Sequence, residues 1–163
     1  MFDFNYVTSD GAGFADYAWA GLFSSGPAPA VLFTARTKPT GDTVPGFGLP
    51  GLAAGVTLAP ATTAIISGGP AFSPLGGSSG RCWSAGCGYT GWVTMSYTFT
   101  SAGTYNLGFG VTNWGDTAFD SALAVSGVTI NDVPVGVPEP AMLALLGLGL
   151  AGIGAMRRRR SSI

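Results

Sequence analysis

Val93-Thr94-Met95-Ser96-Tyr97-Thr98-Phe99 alternates a large apolar residue with a hydroxyl-bearing one at every step. A period of two puts Val93, Met95, Tyr97 and Phe99 on one face of a strand and the hydroxyls on the other, the pattern of a sheet with one buried side. Ser101-Ala102-Gly103-Thr104 turns the chain, and Tyr105, Leu107, Phe109 and Val111 then alternate with Asn106, Gly108 and Gly110. Further on, Asn113-Trp114-Gly115-Asp116 breaks the pattern before a last pair of short strands at 121–125 and 128–130. Near the start, Phe2, Phe4 and Tyr6 alternate with Asp3 and Asn5, and Ser9-Asp10-Gly11-Ala12-Gly13 has turn chemistry. Alternation resumes from Phe14 to Phe23 with Ala15, Tyr17, Trp19, Gly21 and Phe23 on one face, so the first two strands are expected to form an antiparallel hairpin. A short strand is predicted at 31–36, closed by Pro39 and Gly41.

From 44 to 91 the chain is dominated by Gly, Pro, Ala and Ser, and only 56–58 and 64–66 read as strands. A connection of this length implies ordered loop packed on the body. No stretch of the body has helical periodicity. Together these segments predict an all-β, antiparallel β-sandwich of jelly-roll type over residues 1–132. Glycine is abundant (27 residues), 12% of residues are aromatic and only 9% charged; with 47% hydrophobic residues this is a folding composition and not a disordered one.

The C-terminus has a different character. Residues 133–140 form a Pro-rich linker, 141–156 an uncharged apolar run, and 157–163 a basic tail containing Arg157, Arg158, Arg159 and Arg160. Sixteen residues make a helix of about 24 Å, slightly short of a typical bilayer span. Four arginines cannot follow such a helix into lipid, so they are expected to stay cytoplasmic with the body on the far side. Pro138 and Pro140 keep the preceding segment extended. The expectation is a single C-terminal transmembrane helix on an exported body.

Val137-Pro138-Glu139-Pro140, the Leu/Gly/Ala-rich segment and the terminal arginines, in that order, resemble the PEP-CTERM sorting signal of Gram-negative bacteria. The resemblance implies a partner, an exosortase-type membrane enzyme that processes the tail near Pro-Glu-Pro. It also implies a route: inner-membrane anchoring first, then the cell surface or extracellular matrix. An ordinary tail anchor or a buried Leu/Ala helix is the plainer alternative. Gly147, Ala151 and Ala155 form a small-residue stripe that suits docking on the enzyme, though Gly/Ala-rich composition explains it equally well. The body resembles the β-sandwich domains found upstream of such tails, through Phe4-Asn5-Tyr6-Val7-Thr8-Ser9-Asp10, Phe14-Ala15-Asp16-Tyr17-Ala18, the stretch from Ala102 to Val111, and Gly115-Asp116-Thr117-Ala118-Phe119-Asp120-Ser121-Ala122-Leu123. That resemblance implies a carbohydrate-binding-module-like shape. Met1-Phe2-Asp3-Phe4-Asn5 has neither the basic nor the apolar region of a signal peptide, so the gene product is expected to start upstream with one.

Charge and residue types narrow the chemistry. Residues 1–136 carry seven acids against Arg36, Lys38 and Arg81, a net charge of −4 that leaves nothing to grip phosphates, so nucleic-acid binding is not expected. The sequence has no histidine, which removes Ser-His-Asp and Cys-His catalysis and the usual zinc sites. The one glutamate is Glu139, so a glycosidase would need an aspartate pair that nothing in the sequence indicates. An enzyme is therefore not expected, and no cofactor is required.

Three constellations remain. Cys82 and Cys87, in Cys-Trp-Ser-Ala-Gly-Cys, are read as a structural disulfide in an oxidising compartment; a redox pair would more usually have Cys-x-x-Cys spacing. Asp16, Asp116 and Asp120 are candidate calcium ligands if the first and last strands meet, with turn capping as the favoured alternative. Trp83, Trp92 and Trp114 could stack on the sugars of a polysaccharide if exposed, but tryptophans in a sandwich are more often core, and core is the expectation here.

Overall fold

The computed structural model describes residues 1–24 and 29–136. Among these, thirteen strands follow one another: β1 (Phe2–Thr8), β2 (Tyr17–Phe23), β3 (Ala30–Arg36), β4 (Asp42–Val44), β5 (Val56–Ala59), β6 (Thr63–Ala64), β7 (Ile66–Ser67), β8 (Gly88–Tyr89), β9 (Val93–Tyr97), β10 (Asn106–Thr112), β11 (Ser121–Ser126), β12 (Thr129–Ile130) and β13 (Val133–Pro134). All of their pairings are antiparallel. The helical turns are two 3-10 segments, Ala12–Phe14 and Ser73–Ser78.

β1 lies at the centre of the larger sheet. β11 runs along one side of it, from Asp3 opposite Ser126 to Thr8 opposite Ser121. The other side is shared by β9, where Phe4 faces Val93, and β8, where Val7 faces Tyr89. Between β8 and β9 the Thr90 backbone N–H donates to the Tyr6 carbonyl, and the Tyr6 N–H donates to Thr90 Oγ1. β5 and β7 extend this sheet outward. The second sheet has the order β10-β2-β3.

One core joins the two sheets. Phe2, Phe4, Tyr6, Val93 and Met95 from the first meet Ala18, Ala20, Leu22, Leu32, Phe33 and Ala35 from the second. The Phe4 and Phe33 rings stack across the interface with centroids 3.7 Å apart. The result is a sandwich-like, all-β fold, as the period-two pattern requires.

The local expectations change in three places. β1 and β2 do not form a hairpin: β1 pairs with β8, β9 and β11, while β2 pairs with β3 and β10. The turn after Thr8 carries the chain from one sheet to the other, because both strands need partners for their own inner faces. Alternation also misled at Phe14, which ends a 3-10 turn; the strand begins at Tyr17. Its inner face is Ala18, Ala20 and Leu22, so the Tyr17, Trp19 and Phe23 stripe is the outer one. That outer face explains the glycines of β10. Gly110 sits opposite Trp19, and a Cβ there would lie 2.4 Å from the indole. Paired β structure runs to Pro134, two residues past the boundary at 132. No helix among the described residues is long and apolar enough to cross a membrane, and the segment 141–156 lies outside them.

Candidate functional site

The sandwich has two distinct ends, defined by β1, which runs about 20 Å from one to the other. At the Phe2 end lies an apolar cavity of about 770 Å³, lined by Phe2, Leu22, Leu32, Tyr97 and Tyr105 among others. Val135 also lines it, so the described chain finishes at this end. At the Thr8 end three loops converge: the Ser9–Asp16 turn, the disulfide loop around Trp83, and the connection from Trp114 to Asp120.

Buried polar groups tie these loops together. The Ser9 backbone N–H and hydroxyl both donate to the Asp120 carbonyl, at 3.1 and 2.8 Å. The Trp83 N–H donates to the Ser9 carbonyl at 2.9 Å, and the Ala12 N–H to the Ala85 carbonyl at 2.9 Å. Gly11 permits this approach, since a Cβ there would overlap the Ser84 hydroxyl. Cys82 and Cys87 are joined as the sequence indicated, with Cα atoms 5.6 Å apart.

Asp16 sits at the centre, fully buried. Its Oδ1 accepts from the Trp114 N–H at 2.7 Å and its Oδ2 from the Ser121 hydroxyl at 2.6 Å. Its backbone carbonyl accepts from the Thr37 N–H, and Thr37 Oγ1 lies 2.9 Å from the Tyr6 hydroxyl. Burial pushes the Asp16 carboxyl up to about 6; the Ser121 and Trp114 hydrogen bonds oppose this, and the charges of Asp10 and Asp116 add to it. Burial likewise pushes the Tyr6 phenol up to about 12.

Asp10, which the sequence reading passed over, is just 1% exposed. Its Oδ1 accepts from the Gly11 N–H at 2.7 Å, while its Oδ2 and the buried Asn113 Oδ1 have no hydrogen-bond partner among the described residues. Burial raises its carboxyl above the ordinary value, opposed by Gly11 and reinforced by Asp116.

The three aspartates proposed as calcium ligands are each engaged locally. Asp16 bridges Trp114 and Ser121; Asp116 Oδ1 accepts from the Ala118 N–H at 2.8 Å, a turn cap; Asp120 Oδ2 accepts from the Ser78 hydroxyl at 3.1 Å. Among the described residues, no three Asp, Glu, Cys or His side chains are grouped so as to hold a metal ion.

The tryptophans overturn the core expectation. Trp83, Trp92 and Trp114 are 57%, 56% and 53% exposed. The core is already filled by Phe2, Phe4, Tyr6 and Phe33 with the alanines of β2 and β3, and the three indoles lie on loops or at a strand's edge. Two of them sit at the three-loop end, each beside another ring. Trp83 lies 5.2 Å from Phe119, and Trp114 lies 6.2 Å from Tyr17. Trp92 is apart from them, immediately before Val93 and thus beside the middle of β1.

Sequence reasoning also missed Phe119, whose φ of +46° is a left-handed conformation seldom adopted by a bulky side chain. No composition signal marks it; it stands immediately before Asp120, which Ser9 and Ser78 fix on either side. The Val137-Pro138-Glu139-Pro140 motif, the stripe at Gly147, Ala151 and Ala155, and Arg157 to Arg160 all lie outside the described residues.

Neither the curated proteins nor the solved structures contain a match to this chain. The family described as PEP-CTERM protein-sorting motif does match, over residues 136–160. Such motifs are recognised by exosortase, and they imply export with processing at the membrane. The chain thus carries a PEP-CTERM protein-sorting motif at its C-terminus, behind an all-β body.

Proposed function

We propose that this chain is a non-enzymatic protein of the cell surface or extracellular matrix, exopolysaccharide-associated, whose jelly-roll-like body is delivered there by its tail. The sorting motif at 136–160 carries the reading. On this reading residues 141–156 cross the inner membrane, Arg157 to Arg160 stay on the cytoplasmic side, and the Pro138-Glu139-Pro140 motif is where the exosortase-type enzyme acts. The absence of histidine and of any glutamate besides Glu139 supports a non-catalytic body. The chain leaves the sandwich beside Val135, at the end opposite the Trp83 and Trp114 loops. An anchored body would thus present those loops away from the membrane.

Immunoblots of fractionated cells with an antibody to the body test this. The wild type is expected as a shortened form outside the inner membrane, and a variant lacking Arg157 to Arg160 is expected to lose retention and processing. A full-length protein confined to the inner membrane, tail attached, would leave a plain tail anchor and end the sorting reading.

A second reading, that the body binds polysaccharide, is favoured by one observation: Trp83 and Trp114, at the three-loop end, stand more than half exposed, each beside another ring. Indoles fixed in the open by backbone hydrogen bonds and a disulfide are platforms for the apolar faces of sugar rings.

A further inference from the structure

Between the Ser73–Ser78 turn and the last loop before β11 lies a pocket of about 330 Å³, lined by Ser78, Arg81, Thr117, Phe119 and Asp120 among others. We propose that it binds one neutral pyranose residue of a polysaccharide, with the Phe119 and Trp83 rings as the apolar platform and Asp120 and Arg81 as the hydroxyl-reading pair. The proposal rests on the polysaccharide reading above and assigns it a place.

Four observations support the assignment. Phe119 is held at φ +46°, and a strained bulky residue persists where its surroundings impose it, as they do at ligand sites. Its ring lies 5.2 Å from Trp83, tilted by 39°, which gives two adjacent aromatic surfaces instead of one buried stack. Asp120 is fixed by four hydrogen bonds. Its carbonyl accepts twice from Ser9, its N–H donates to Ser78 Oγ, and its Oδ2 accepts from the same hydroxyl. Three of these fix the backbone and the Ser78 hydroxyl orients Oδ2, so the carboxylate is positioned from its base and keeps acceptor capacity for a sugar diol. Arg81 supplies donors on the pocket's wall, whereas Arg36 and Lys38 lie about 5 Å over the Phe47 ring.

Charge decides between neutral and acidic sugars. The pocket balances Arg81 against Asp120, and the body around it carries seven acids against three bases. An anionic polymer would meet net repulsion, while a neutral pyranose needs only the aromatic platform and paired donors and acceptors.

The test is affinity electrophoresis of the full chain, in mild detergent, through native gels containing laminarin, galactomannan, dextran or alginate. The wild type is expected to be retarded by at least one neutral polymer and not by alginate. Trp83→Ala and Asp120→Asn should each weaken that retardation about tenfold, with Trp92→Ala unchanged and all three variants retaining the wild-type circular dichroism spectrum. Trp83 is exposed, so its variant stays informative even if Asp120→Asn disturbs the loop. Retardation that survives Trp83→Ala but falls with Trp92→Ala overturns this pocket and leaves polysaccharide binding standing. Retardation by alginate alone overturns the neutral-sugar assignment. No retardation by any polymer overturns the pocket and the polysaccharide reading together.

Discussion

Replacing Asp16 by asparagine should make the folded body more stable at neutral pH, although it removes a charge that accepts two short hydrogen bonds. The free carboxyl value of 3.8 is raised to about 6 in the fold, chiefly by burial. Below pH 3.8 the group is protonated in both the folded and the unfolded chain. Between 3.8 and 6 the folded chain holds a proton that the unfolded chain has released, so stability falls as pH rises through this window and levels off above it. A difference of about 2.2 pH units corresponds to at most about 3 kcal/mol at 1.36 kcal/mol per unit. Water around the surrounding loops screens part of this, giving about 1 to 3 kcal/mol. Asparagine keeps a carbonyl for the Trp114 N–H and offers its amide to Ser121 Oγ, so the network survives without the ionisation cost.

Urea unfolding of wild type and Asp16→Asn at pH 4, 5, 6, 7 and 8 measures the effect. The two proteins should be nearly equal at pH 4, with the variant gaining progressively to about 1 to 3 kcal/mol at pH 8. Asp16→Ala leaves the Trp114 N–H without this acceptor and leaves Ser121 with Thr8 alone, and should cost about 2 to 4 kcal/mol at pH 4, a deficit that narrows as pH rises because alanine also escapes the ionisation cost. A difference between wild type and Asp16→Asn that stays constant from pH 4 to 8 would refute the reasoning. The same titrations with millimolar calcium test the capping role. A calcium-dependent gain in the wild type that Asp16→Asn abolishes would make this carboxylate a ligand, contrary to its hydrogen bonding here.

Gly11→Ala should destabilise by about 2 kcal/mol or more by driving a methyl into Ser84, and Ser84→Gly should restore most of the loss in the double mutant, measured by a thermal-melt cycle. Changing Cys82 and Cys87 to serine opens a six-residue loop and should cost about 2 kcal/mol. Hydrogen exchange should then quicken at the Trp83 and Ala12 amides but not at Phe4 in β1, and uniform acceleration would show that the bond supports the whole body. At Phe119, glycine should be more stable than alanine by about 1 kcal/mol, the reverse of the usual loop order, because it relieves the left-handed backbone; alanine equal to or above glycine in urea melts would show no strain there.

What the sequence disclosed and what it hid follow from the range of the interactions involved. Alternation along 93–99 is a property of one strand and one face, so it could be read directly, as could the short Cys82–Cys87 spacing. Strand pairing is another matter. Phe2–Thr8 and Tyr17–Phe23 look like a hairpin because only eight residues, 9 to 16, lie between them. Their partners are set by distant segments, Ser121–Ser126 for β1 and Asn106–Thr112 for β2, which compete for the same edges and win by closing a common core. Similar reasoning applies to the tryptophans. Composition says that a large ring prefers burial, but a sandwich of this thickness is filled by Phe4 stacked on Phe33 with Ala18, Ala20 and Ala35 around them, and the indoles fall on loops that the core never reaches. Asp10 and Phe119 gained significance only when Ser9 met Asp120 across 111 residues. The tail's signal, by contrast, lies in the order of its residues and needs no fold, which is why it was legible, while the exposure of Trp83 and Trp114 emerged only where the loops converge.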